Sequence, residues 1–281
     1  MNRFEEIISN LVYWGNAQER LHAAIVVGSQ AREDHPADAF SDLDVLLLVS
    51  EPDHFIQSDE WLREIGEYAI SFTENTIDGD VERRVLFAGA RDVDFVIIPF
   101  SRLEGALRAG SAAILTRGYR VLVDKIGISA DLPSIARTNA HETLPAEGEF
   151  LNQLNDFWYH AVWAAKKIQR GELWVAQACV NAYMKERLLS LIRWHTLACC
   201  GAQIDTWHGG RFLEQWAQAW IVRELADCYS HYEREDVIKA LVCTMNLARR
   251  IAQETALCLN YSYPERADRT ATKFVLETLV K

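Results

Sequence analysis

Two aspartates, Asp42 and Asp44, stand on alternate positions of a stretch that continues as Val45-Leu46-Leu47-Leu48-Val49. In an extended strand, residues two apart point to the same face. Two carboxylates placed this way suit a pair of Mg²⁺ ions clamping a triphosphate, because hard divalent cations take carboxylate and phosphate oxygens together. Upstream, the apolar run Ala23-Ala24-Ile25-Val26-Val27 stops at Gly28-Ser29-Gln30. Gly28 can adopt backbone angles that bulkier residues resist, so the N–H groups after it can approach a phosphate oxygen, and Ser29 adds a hydroxyl donor. A third carboxylate, Asp94, interrupts the apolar run Val93 to Ile98. Burying it unpaired would be costly. Taken alone, an ion pair with Arg84 or Arg91 accounts for it. Beside Asp42 and Asp44, it is better explained as joining them in one metal and nucleophile site.

These residues need strands to hold them. Phe4, Ile7, Ile8, Leu11 and Val12 recur at helical spacing and predict an opening helix within residues 3–20. The run into Gly28 reads as a strand, the Pro36-containing polar stretch as an irregular connection, and Asp42 to Val49 as a strand buried on both faces. Ser58 to Gly66 reads as a short helix capped by Ser58, with Asp59 and Glu60 in its first turn. Arg83 to Ala88 and Val93 to Ile98, joined through Gly89, read as a hairpin. Tyr119 to Val123 reads as a last strand. Pro133, Pro145 and Gly148 then mark a change of character, and helical patterns follow from about Glu149: Phe150 to Val162, Trp174 to Leu197, Phe212 to Ser230 and Glu235 to Leu259. The expected fold class is α+β. A domain with a mixed β-sheet flanked by helices spans residues 1–135, and a helical-bundle domain spans 136–281.

With 281 residues, 49% of them hydrophobic, the chain can bury a sizeable core. No run of about 18 uncharged apolar residues exists, so no membrane span is expected. The N-terminus lacks the basic-then-apolar layout of a secretory leader, which makes a cytoplasmic location the expectation. All six cysteines lie in the second half without paired spacing and are expected to be free thiols. The net charge is −11, and the segment Glu51 to Glu82 alone holds 10 acidic residues against Arg63. A nucleic-acid backbone calls for the opposite sign, so nucleic acid is not an expected partner. An acidic rim instead suits a polycationic small molecule. Trp158, Tyr159 and Trp163 read as core packing, and His160, His195 and His208 as structural or surface residues.

Hydrophobic strand, Gly28-Ser29, a polar loop, Asp42-Leu43-Asp44 and then Asp94 on a later strand form an ordered pattern. It resembles the DNA polymerase β-like nucleotidyltransferase superfamily. The likeness narrows with Val93 to Pro99, Phe157 to Lys166, Met184 to Leu189 and Ile192 to His195, which look like the aminoglycoside 6-adenylyltransferase (streptomycin adenylyltransferase) family over nearly the whole chain. The resemblance implies Mg²⁺-dependent transfer of AMP from ATP to a hydroxyl of an aminoglycoside, with release of pyrophosphate. It implies that Asp42 and Asp44 hold two Mg²⁺ ions and that Asp94 acts as general base and touches one of them. Gly28 and Ser29 would cradle the β- and γ-phosphates, with Lys166 and Arg211 reaching the triphosphate from the helical half. Gln30 departs from the family's usual arginine, for which Arg32 stands two positions on. Two alternatives keep their place: AMP transfer to another acceptor, a lincosamide or a protein side chain, and a nucleotide-binding regulator without catalysis.

Overall fold

Residues 3–32, 35–76, 79–102, 115–132 and 144–280 are described by a computed structural model. The expected boundary at residues 135 and 136, with Pro133, lies outside them. Backbone contacts divide the chain into two compact units, Met1–Ala140 and His141–Lys281.

The first unit is built on a six-stranded mixed sheet. Its strands are β1 (Leu21–Val27), β2 (Leu43–Val49), β3 (Tyr68–Asn75), β4 (Val81–Phe87), β5 (Arg91–Pro99) and β6 (Arg120–Asp124), in the order β3-β4-β5-β2-β1-β6. Only β2 and β5 pair in parallel; every other neighbour is antiparallel. The alternation of side chains sorts the sheet into two faces. Ala24, Val26, Val45, Leu47, Val93, Phe95 and Ile97 meet three helices: α1 (Glu5–Ala17), α2 (Pro52–Gln57) and α3 (Leu62–Ile65). Ile7, Leu11 and Trp14 give α1 its buried stripe. Trp61 is the hub of this core, stacked on Trp14 at 5.1 Å between centroids and edge-on to Phe55 and Phe95 at 5.6 and 5.2 Å. Ile25, Val27, Leu46, Leu48 and Ile98 form the other face, with Leu115, Ile128 and Leu132.

Two details differ from the sequence reading. The helix expected from Ser58 is confined to Leu62–Ile65: Ser58 has extended backbone angles, and the Trp61 indole N–H donates to its carbonyl at 3.0 Å. The sheet also gains β3 at its edge, where Ile70 and Phe72 are exposed. The hairpin between β4 and β5 forms as expected. Gly89 and Ala90 both have positive φ, and Arg3 donates to the carbonyls of both at 3.2 and 2.6 Å.

The second unit is helical. Its long members are α4 (Glu147–Gln169), α9 (Arg234–Leu259) and α10 (Glu265–Leu279). Between them, α5 (Leu173–Ala178) and α6 (Met184–His195) are joined through a π-helical stretch at Cys179–Tyr183, and a second such stretch, Thr196–Cys200, follows α6. The expected helix from Phe212 to Ser230 breaks into α7 (Leu213–Trp216) and α8 (Ala219–Leu225), with extended backbone at Ala217 and Gln218. Trp158 is core, whereas Tyr159 is 67% exposed. The expectation of six free thiols is corrected: Cys199 and Cys258 form a disulfide with Cα atoms 5.7 Å apart, leaving four free cysteines. Their 59-residue separation carries no spacing signal, and only the packing of the Thr196–Cys200 segment on α9 brings them together. Among the described residues no helix is long and apolar enough to cross a membrane.

Candidate active site

The site lies where β1 ends and the parallel pair β2 and β5 begins. Their register makes Asp44 and Asp94 direct partners, so both carboxylates project from the same sheet face. Asp42 immediately precedes β2. One carboxylate oxygen from each of Asp42, Asp44 and Asp94 lies within 4.8 Å of the others, and all three residues are half-buried. The expected triad is thus brought together by one strand register.

Gly28 closes the site from β1. Its φ is +66°, and a Cβ there would lie 2.1 Å from the Asp44 carboxylate. Glycine is required twice over, by the left-handed backbone and by the approach of Asp44. Gly28–Gln30 forms a single 3₁₀ turn whose Gly28 carbonyl accepts from the Ala31 and Arg32 N–H groups at 3.1 Å each. Ser29 is buried and its hydroxyl donates to the Asp42 carbonyl at 3.4 Å, while the Gln30 amide donates to the same oxygen at 3.2 Å. This turn anchors the backbone of Asp42, a role the sequence did not disclose. Arg32 donates through Nε to the His35 carbonyl at 2.7 Å.

The strand alternation of β4 sends its two adjacent arginines to different tasks. Arg83 is buried on the helix side, donating to the Phe55 and Ile56 carbonyls at the end of α2 and, at 2.8 Å, to the Ser71 hydroxyl. Arg84 sits on the acidic face, in register with Asp94. It contacts Glu74 at 2.7 Å, Glu82 at 3.4 Å and Asp94 at 3.7 Å. Arg91, the other partner considered for Asp94, bonds Glu6 at 2.9 Å instead. Asp94 therefore has a shared and distant counter-ion, not a dedicated one. Burial and the neighbouring Glu82 push its pKa up to about 6, against the opposing pull of Arg84, with Asp42 and Asp92 adding to the rise. Glu82 and Arg84 were not singled out as site residues in the sequence; their two-residue spacing on a strand facing Asp94 was the available signal.

The donor set fits a divalent cation. Three convergent carboxylates and the raised proton affinity of Asp94 describe a concentration of negative charge that a Mg²⁺-type ion relieves with oxygen ligands. The acidic segment Glu51 to Glu82 is partly answered from outside itself: Arg20 pairs with Glu51 at 2.9 Å, and Arg102 with the buried Asp80 at 2.8 Å. Lys166 and Arg211 belong to the second unit. Lys166 is an exposed residue of α4 with its ammonium 5.6 Å from the Phe274 ring centroid, and Arg211 is exposed after the Gly209-Gly210 turn.

The family model described as streptomycin adenylyltransferase matches residues 1–278. An aminoglycoside 6-adenylyltransferase of Campylobacter jejuni is 21% identical over 270 residues, covering 94% of this chain and 92% of its own. One from Bacillus subtilis (strain 168) is 21% identical over 281 residues, covering 98% and 97%. Among solved structures, the crystal structure of an aminoglycoside 6-adenyltransferase from Bacillus subtilis covers 98% of this chain and 97% of its own at 19% identity, with a TM-score of 0.47.

Proposed function

The chain belongs to the streptomycin adenylyltransferase family and is a nucleotidyltransferase, and from that premise we propose that it transfers AMP from ATP to a hydroxyl of a streptomycin-like aminoglycoside. The products are the O-adenylylated, inactivated drug and pyrophosphate. The observation that supports this best is the convergence of Asp42, Asp44 and Asp94 within 4.8 Å beside the Gly28 turn.

Asp42 and Asp44, with Asp94, would hold up to two Mg²⁺ ions. The chemistry these ions supply is neutralisation of the triphosphate and of the charge developing on pyrophosphate. Asp94 takes the proton of the acceptor hydroxyl as its oxygen attacks the α-phosphorus and the bond to the pyrophosphate oxygen breaks. In the ion-free protein burial raises the Asp94 pKa to about 6, so the carboxylate is still ionised at neutral pH and free to accept a proton. Gly28 and Ser29 set the turn assigned to the β- and γ-phosphates, and on the family resemblance Lys166 and Arg211 are the basic residues assigned to the triphosphate. The remaining contribution is positioning for in-line attack. The acidic surplus near Asp94 suits a polycationic acceptor, which approaches a negatively charged surface at an enhanced rate.

Incubation with MgATP and a panel of streptomycin, other aminoglycosides and lincosamides tests this reading. Pyrophosphate release and a mass increase corresponding to AMP are expected with streptomycin or a close analogue. Turnover with a lincosamide alone would reassign the acceptor, and no release with any aminoglycoside would overturn the proposal.

A further inference from the structure

Arg84 is tied to two carboxylates and merely close to a third. Its Nε makes a 2.7 Å ion pair with Glu74 but lies 3.7 Å from Asp94, beyond hydrogen-bond range. Its hydrogen bonds go to Glu82, from Nε and Nη2 at 3.4 Å each. The guanidinium is thus anchored on its outer side by β3 and β4 and presents its charge, without a direct bond, to the Asp94 carboxylate. Among the described residues it is the one basic side chain paired with Asp94, which is itself the register partner of Asp44. Because the anchors are Glu74 and Glu82, Asp94 can turn toward a divalent ion without Arg84 having to find a new partner.

We propose that Arg84 is an internal counter-ion of the carboxylate triad, a positioning residue that steadies Asp94 in the ion-free protein and limits how tightly the triad takes a divalent cation. The inference rests on the reading that Asp42, Asp44 and Asp94 form a divalent-cation site. A fixed positive charge a few ångströms from such a site weakens it by Coulomb repulsion, and its removal also frees Glu74 and Glu82 to add attraction. Loose binding suits a site that must accept its ions with each nucleotide and release them with each pyrophosphate.

Calorimetric titration with Mn²⁺, in the absence of nucleotide and acceptor, reads this directly in the full-length protein. Arg84→Gln is expected to tighten Mn²⁺ binding about tenfold at low ionic strength, with the gain shrinking as salt is raised. Arg84→Lys keeps the charge and gives up the planar fork. It is expected to stay within about threefold of the wild type in Mn²⁺ affinity, on the same Coulomb argument. Without divalent ion, Arg84→Gln should melt below the wild type and recover on addition of Mn²⁺. Unchanged or weaker binding in Arg84→Gln, or equal tightening in Arg84→Lys, would overturn the counter-ion role. A lowered melting point with unmoved Mn²⁺ affinity would mark Arg84 as merely structural. Asp44→Asn separates this from the underlying reading: if it binds Mn²⁺ as the wild type does, the cation site itself is wrong, whatever Arg84 does.

Discussion

Asp94 in the sheet unit and Asp268 in the helical unit are similarly enclosed, with side chains 14% and 8% exposed, and each faces an arginine. Their surroundings are otherwise opposite. Arg249 grips Asp268 with two hydrogen bonds of 2.7 Å, and the Tyr263 and Thr272 hydroxyls donate at 2.8 and 2.9 Å. Every lone-pair direction of Asp268 is served by its own chain, and these hydrogen bonds hold its pKa below the ordinary value against the effect of burial. Asp94 shares a distant arginine with two other carboxylates and has its pKa raised. A buried acid that the chain neutralises by itself ties helices together. One left in acidic excess is open to a cation from solution.

Substitutions at the two positions should therefore fail in different ways. Asp94→Asn is expected to lower kcat by about 10²–10⁴-fold, the contribution of a positioned general base, while leaving ATP binding largely intact. Stopped-flow or endpoint pyrophosphate assays beside nucleotide titration check this, and unchanged turnover would remove Asp94 from the base role. Asp268→Ala strips the partner from Arg249 at the meeting of α9 and α10. Its expected cost is about 3–5 kcal/mol in urea unfolding, with Mn²⁺ affinity of the folded protein unmoved.

The pH dependence of stability should carry both signatures with opposite sign. Asp94, at about 6 in the folded chain against an ordinary 3.8, keeps an extra proton between those values. The ion-free protein therefore loses stability as pH rises from about 4 to 6, by on the order of 2–3 kcal/mol, and Asp94→Asn should flatten that slope. Asp268 is depressed, so its contribution is present above the unfolded pKa and is lost as pH falls through the folded one. Added Mg²⁺ should accordingly raise the melting temperature more at pH 8 than at pH 5. An equal shift at both would argue against ion binding at the triad. Gly28→Ala is expected to cost about 1–2 kcal/mol for the left-handed backbone alone, and more as its Cβ pushes the Asp44 carboxylate aside. Its weakened Mn²⁺ binding, as Asp44 is displaced, is the sharper readout.

The carboxylates were legible in the sequence because strand alternation is strict. Asp42 and Asp44 had to share a face, and Asp94 stood out as a charge within Val93 to Ile98. What sequence pattern could not supply was the pairing of β2 with β5, since parallel partners are joined by long connections that leave no local mark. Edge strand β3 escaped because an exposed edge has no buried face to impose alternation, as Ile70 and Phe72 show. Arg84 was visible only as a possible ion-pair partner; its sharing among three acids required the β3-β4-β5 register. Lys166 and Arg211 were drawn from resemblance, and nothing in their local surroundings marks them as nucleotide contacts.

The three-residue turn between Phe87 and Arg91, held by Arg3, fixes where β5 begins. Side chains alternate with a period of two, so moving β5 along β2 by a single residue would carry Asp94 to the helix-covered face and put Val93 or Phe95 in its place. The length of that turn is thus inherited information of the same standing as the aspartates. In a lineage of such enzymes, base changes in the turn should be forgiven far more readily than the gain or loss of one codon.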